Sequence, residues 1–181
     1  TTEAKMSDGV ISALFYDAES NSLDIGVQRL PESRRDDGLF TVPLEIRIPI
    51  GKLVLVPAEG VRQARVRIFF AAMDSAGGMS EVQSSIVPIT IPEAEVAAAV
   101  KQVYVYGISL MMRKGPQKLA VGVRDEVGAT QSFTVRTMII GRKGWPRRQA
   151  GLRERKHWVR PTLQGCGPRS RPPCRTSRSR A

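Results

Sequence analysis

The stretch LFTVPLEIRIPI, residues 39–50, decides the fold class. Val42, Leu44, Ile46, Ile48 and Ile50 fall on every second position, with Pro43, Glu45, Arg47 and Pro49 between them. A strict period of two marks a half-buried strand, because successive strand side chains point to opposite faces. Proline cannot donate to a ladder, so Pro43 and Pro49 predict a strand that lies at a sheet edge or pairs over only part of its length.

Working outward, SLDIGVQRL (22–30) reads as a first strand and PESRRDDG (31–38) as a loop. KLVLVP (52–57) continues the reference strand after a bend at Gly51. In VRQARVRIFFAAMD (61–74), Ala64, Val66, Ile68, Phe70 and Ala72 share one face against Arg65 and Arg67. Phe69 points the other way, outward, and so is a candidate contact for a neighbour beyond the sandwich. DSAGG closes a hairpin, and SEVQSSIVPITI (80–91) returns from it. PEAEVAAAV (92–100) predicts one or two helical turns, with Pro at the first position and two Glu beside it. VYVYGISLMM (103–112) is apolar on both faces and reads as a central strand. Leu119, Val121 and Val123 alternate in the next, DEVG (125–128) turns with Gly128 placed for a bulged hairpin, and QSFTVRTMII (131–140) is the last. Ahead of all these, Met6, Val10, Ile11, Leu14 and Phe15 outline a short helical face interrupted by Gly9.

About seven strands with turn signals between them predict an all-β immunoglobulin-like or fibronectin-like sandwich over residues 22–141. A parallel α/β sheet needs a helix at each crossover, and the chain offers one short candidate. A closed barrel is the alternative that strand number alone leaves open.

The chain has 181 residues and a net charge of +11, a value that suggests a polyanion partner until it is located. Residues 1–141 carry 15 Lys+Arg against 16 Asp+Glu, net −1, whereas residues 142–181 carry 13 against one, net +12. Cys166, Cys174, Trp145, Trp158 and His157 also lie in that last segment. The body thus offers no Cys or His nucleophile, no thiolate or imidazole metal ligands and no Ser-His-Asp triad, which argues for a non-enzyme without a cofactor. No run approaches the length needed to span a bilayer, and TTEAKMSDG does not resemble a secretion signal.

Glu32, Asp36 and Asp37, with Asp74, Asp125 and Glu126, could be read as calcium ligands at one end of the sandwich, but Asp at hairpins is better explained as turn chemistry. Tyr104, Tyr106, Phe69, Phe70, Met111 and Met112 could form a binding platform, yet alternation assigns most of them to a core. Residues 142–181 hold five prolines and 11 arginines against two lysines, with no strand period. They read as a disordered tail whose composition fits GC-rich coding DNA translated out of frame from about Arg142, or alternatively a cationic arm for nucleic acid with Trp145 and Trp158 available to stack bases.

The segments TVPLEIRIPIGKLVLVP, RVRIFFAAMDSAGGMSEVQ and YVYGISLMMRKGPQKLAVGVRDEVGATQSF resemble the C-terminal β-domain of bacterial von Willebrand factor type A (VWFA-related) domain proteins, and VISALFYDAESNSLDIGVQRL resembles the connector that leads into it. The resemblance spans roughly residues 10–140. It implies an exported protein, extracellular or periplasmic, whose type A domain binds a divalent metal through D-x-S-x-S. That motif is absent here: neither DAESNS (17–22) nor DSAGG (74–78) fits it, so no metal residues carry over. The expected organisation is a connector over 1–21 that follows an upstream domain, a sandwich over 22–141 and a tail over 142–181. The expected role is a non-catalytic accessory module acting in protein interaction, with Phe69, Arg65 and Arg67 as its candidate contact residues. A stand-alone carbohydrate- or peptide-binding sandwich is the alternative, and nucleic-acid binding by the tail ranks below it.

Overall fold

The computed structural model describes residues 1–141, so the expectations for the basic tail lie outside the described residues. Helix α1 (Thr2–Tyr16) opens the chain, and ten strands follow: β1 (Ser20–Asn21), β2 (Gly26–Arg29), β3 (Ser33–Arg34), β4 (Phe40–Pro49), β5 (Val56–Ala58), β6 (Val61–Asp74), β7 (Gln83–Pro92), β8 (Val103–Met112), β9 (Gly115–Asp125) and β10 (Gln131–Ile140). Between β7 and β8 a 3-10 turn runs into the short helix α2 (Val96–Ala99), where the Pro-Glu-Ala run predicted helical turns. Every strand pair is antiparallel. One sheet runs β1-β10-β9-β6, with β7 and the short β5 both beside β6; the other holds β4 between β8 on one side and β2 with β3 on the other. The fold is an all-β two-sheet sandwich carrying one N-terminal helix.

Alternation in β4 places Val42, Leu44, Ile46 and Ile48 in the core between the sheets, each at most 1% exposed. Of the two expectations for this strand, the edge position is wrong and partial pairing holds on one side: β4 is the middle strand of its sheet, paired with β8 from Phe40 to Pro49 but with β2 only at Leu44–Arg47 and with β3 only at Phe40–Thr41. Pro43 explains how. Its carbonyl accepts from Leu30 N at 2.9 Å, so its missing N–H faces the β2/β3 side, where β2 has ended at Arg29 and β3 starts only at Ser33. In an antiparallel ladder alternate residues face alternate neighbours, so Pro49 faces that same side, past the pairing of Arg47 with Gly26. The β8 ladder loses no donor to either proline. The expectation for VYVYGISLMM fails in the opposite sense: among the described residues β8 pairs with β4 alone and is an edge strand.

The strands covered on both faces are instead the central parts of β6, β9 and β10. Their inner face joins the core between the sheets, while their outer face lies under α1. Met6, Val10, Ala13 and Leu14 of the helix pack on Phe69, Ala71, Ala120, Phe133 and Val135 in a second core. Residues 1–21 are therefore a packed layer: α1 lies on the sheet, and β1 extends it by pairing with β10. A 15-residue helix runs through Gly9 without interruption. A Cβ at Gly9 would lie 2.4 Å from Cζ of Phe133, and one at Gly122 would lie 3.0 Å from both Phe133 and Val10. These glycines let helix and sheet approach closely. Gly9→Val is expected to destabilise the fold by about 2 kcal/mol, because overpacking of roughly 1–3 kcal/mol outweighs a helix-propensity gain of about 0.5 kcal/mol. Urea denaturation checks the sign, and a stabilised variant would show that the helix can lift off at little cost.

Both ends of α1 are tied down. Thr1 caps its start, with Oγ1 accepting from Ala4 N, and Glu3 pairs with Arg67 at 3.3 Å. At the far end Lys118 Nζ donates to Leu14 O at 2.9 Å and pairs with Asp17 at 2.8 Å, while Asp17 ends the helix at φ 52°. A cation on the last carbonyls satisfies acceptors the helix itself leaves open. Beyond β1, side chains close the remaining edge of β10: Glu19 accepts from Val135 N at 2.7 Å and from the Thr134 hydroxyl at 2.9 Å, and Arg29 donates to Ile139 O at 2.9 Å. The Val135 N–H, the Thr134 hydroxyl and nearby Arg136 hold the Glu19 carboxyl below its ordinary range.

Candidate functional site

Arg65, Arg67 and Phe69 take alternate positions on the helix-side face of β6, as the period predicted. Register then supplies their neighbours. Arg67 stands opposite Arg124 of β9 and Ile86 of β7, and Phe69 opposite Gly122 and Ser84. The first turn of α1 lies over this spot. Thr1, Thr2 and Glu3 from the helix start, Arg67 and Phe69 from β6, Arg124 from the end of β9 and Glu126 just beyond it enclose a notch of about 220 Å³.

Its chemistry is ionic. Glu126 sits between two arginines, with Oε1 2.9 Å from Arg67 Nε and Oε2 3.3 Å from Arg65 Nε, while its backbone N donates to Arg65 O at 2.9 Å. Arg67 also pairs with Glu3 across the helix start. The Nε of Arg67 is buried and its N–H is not aimed at an acceptor, so the short contact to Glu126 is an ion pair without a directed hydrogen bond. Arg124 reaches Gln131 Oε1 at 3.4 Å. Three guanidiniums against two carboxylates leave one positive charge in excess. Guanidinium stays protonated in proteins and offers donors only, so this group can hold a carboxylate or a carbonyl but cannot shuttle a proton.

The structure thus brings Arg65 and Arg67 together and corrects Phe69. Phe69 does face away from the inter-sheet core, but it is 1% exposed because α1 covers it. The covering signal was present in the sequence as the Met6, Val10, Leu14 period, which could not say where that face would land. Glu3, Arg124 and Glu126 were not singled out as contact residues, since only the β6–β9 register and the docking of α1 join them to Arg67. Among the exposed large side chains, the aromatics are Phe15 and Tyr16, at 52% and 82%, at the far end of α1 from the notch. Phe70, Tyr104 and Tyr106 belong to or pack on the inter-sheet core, and burial raises the Tyr104 hydroxyl above its ordinary range.

The acidic turns are occupied by their own backbone. Asp74 Oδ1 accepts from Ala76 N at 3.0 Å and Gly78 N at 2.8 Å. Asp125, fully buried, accepts from Val54 N at 2.8 Å through Oδ2, and from Val127 N at 2.9 Å and Gly128 N at 3.1 Å through Oδ1. The left-handed residue of this hairpin is Ala129 at φ 55°, not Gly128. A Cβ on Gly128 would lie 2.6 Å from Val54, so glycine is needed there for close approach. Among the described residues, no group of three or more His, Cys, Asp or Glu side chains is placed to hold a metal ion. No described helix is long and apolar enough to cross a membrane.

No family model matches the chain, and no curated protein does. Among solved structures, it is similar to Northeast Structural Genomics Consortium target SoR45, with TM-score 0.42 and 15% identity over 67% of this chain and 87% of that one. It is also similar to part of a Bacteroides uniformis beta-glucuronidase, with TM-score 0.39 and 8% identity over 64% of this chain and 13% of that one.

Proposed function

We propose that residues 1–141 are a non-catalytic accessory module of an exported type A-domain protein, holding that domain in a fixed attitude for protein interaction. The resemblance of the strand and turn motifs supports the family. The observation that carries the mechanical role is the docking of α1. Four buried side chains fasten it along its length, and Arg67 and Lys118 pair with its two ends. A domain joined ahead of such a helix would be held by a rigid lever, where a Gly/Ser-rich linker would let it swing. The Arg65, Arg67 and Arg124 group at the helix start would meet acidic groups of whatever is carried there, which gives the candidate contact residues a shared role.

The reading frame upstream of codon 1 tests the proposal. An in-frame domain with D-x-S-x-S is the expected result, and a different domain, or a start codon with nothing ahead of it, would overturn it. The alternative is a stand-alone carbohydrate- or peptide-binding sandwich, which an exposed aromatic strip beside Phe69 would support; helix α1 covers Phe69 itself.

A further inference from the structure

Sheet edges expose unpaired backbone groups, and proteins usually blunt them with short strands, prolines, charges or covering elements. Nearly every edge among the described residues carries such a device. β1, β3 and β5 are two or three residues long and β2 is four; β7 holds Pro88 at its middle; the rest of β10 is closed by Glu19 and Arg29. β8 is the exception. It is ten residues long, VYVYGISLMM, with no charge and no proline, and pairs on one side only.

Pairing parity identifies its open groups. Because Pro43 faces β2/β3, Val42, Leu44, Ile46 and Ile48 face β8, and their partners Leu110, Ile108, Tyr106 and Tyr104 face back. The N–H and C=O groups of Val103, Val105, Gly107, Ser109 and Met111 therefore point to the open side.

We propose that β8 is a homodimerisation edge, on which two copies of this chain pair antiparallel about Gly107. This goes beyond the accessory role and does not depend on it. The five open positions map onto themselves in one register only: Gly107 opposite Gly107 of the other copy, Val105 opposite Ser109, and Val103 opposite Met111. No like charges meet, which is the requirement a strand must satisfy to pair with itself. On the inner face Tyr106 falls beside Ile108 and Tyr104 beside Leu110, and all four are only partly buried against the core in the single chain. On the outer face Met111, 67% exposed, gains Val103, 41% exposed, as its cross-strand neighbour. Glycine in a strand interior often marks the close approach of another backbone, and nothing among the described residues lies within 4 Å of a Cβ placed on Gly107.

Sedimentation velocity on the full chain, from micromolar to millimolar concentration, should show a reversible species of twice the monomer mass. Val105→Lys with Ser109→Lys sets lysine against lysine at two places and should weaken the dimer about tenfold or more. Val105→Lys with Ser109→Glu sets lysine against glutamate in the same register and should restore it. A monomer at every concentration, or a dimer indifferent to both pairs, would overturn the proposal. Hydrogen exchange of the wild type needs no variant: the five open-side amides should gain protection as concentration rises. Protection that is independent of concentration would mean that another segment covers the edge, which also overturns it.

Discussion

Phe69→Ala is expected to lower stability by about 3–5 kcal/mol, the range for truncating a buried aromatic ring. Phe69 heads the fully buried side chains by size and lies under α1 with Met6, Val10 and Leu14. Its loss removes transfer free energy and leaves a void that cannot readily close, because Gly9 and Gly122 already bring helix and sheet into contact with Phe133. Urea denaturation should show the full loss, and amide exchange over residues 2–16 should accelerate beyond the rest of the chain. Phe69→Leu keeps much of the volume and should cost well under half as much. A loss below about 1 kcal/mol for Phe69→Ala would return Phe69 to the role of an exposed contact residue.

Asp125→Ala comes second, at about 3 kcal/mol, since a buried carboxylate leaves three backbone donors behind when it goes and charge-assisted bonds are the stronger kind. Two of those donors belong to its own hairpin, but Val54 N belongs to the segment between β4 and β5. One side chain therefore ties that segment to the β9–β10 turn. Asp125→Asn keeps an oxygen for Val127 and Gly128 yet turns its amide against Val54 N–H or the reverse, and should cost about half as much. Thermal melts with and without calcium should coincide for the wild type; a calcium-dependent rise would revive the cation reading of these turns.

How far the sequence could be read depended on which relation was at stake. Periodicity is local, so the core-facing residues of β4, β6 and β9 were legible from alternation alone. Neighbour relations are not local. A proline shows that a donor is missing but not which adjacent strand would have received it, and so Pro43 left an edge and partial pairing both open, and it faces a gap between β2 and β3 beside an interior strand. In the same way the period placed Phe69 outside the sandwich but could not show the helix laid over it. Gly9 looked like a helix breaker because propensity was visible and Phe133, 124 positions away, was not. Arg65 and Arg67 could be named from one strand, whereas Glu3, Arg124 and Glu126 join them through the β6–β9 register and the docking of α1.

The seating of α1 also orders events in time. Its partners Phe133 and Val135 lie on the last described strand, and the bonds that tie the first loop to that strand, Leu23 to Ser132 and Glu19 to Val135, span 109 and 116 positions. During synthesis the helix is made before every strand it packs on, and its seat across β6, β9 and β10 is complete only once β10 is made. Such high contact order makes its docking a late folding step, and until then Met6, Val10 and Leu14 stay open to chaperones or to other unfinished chains.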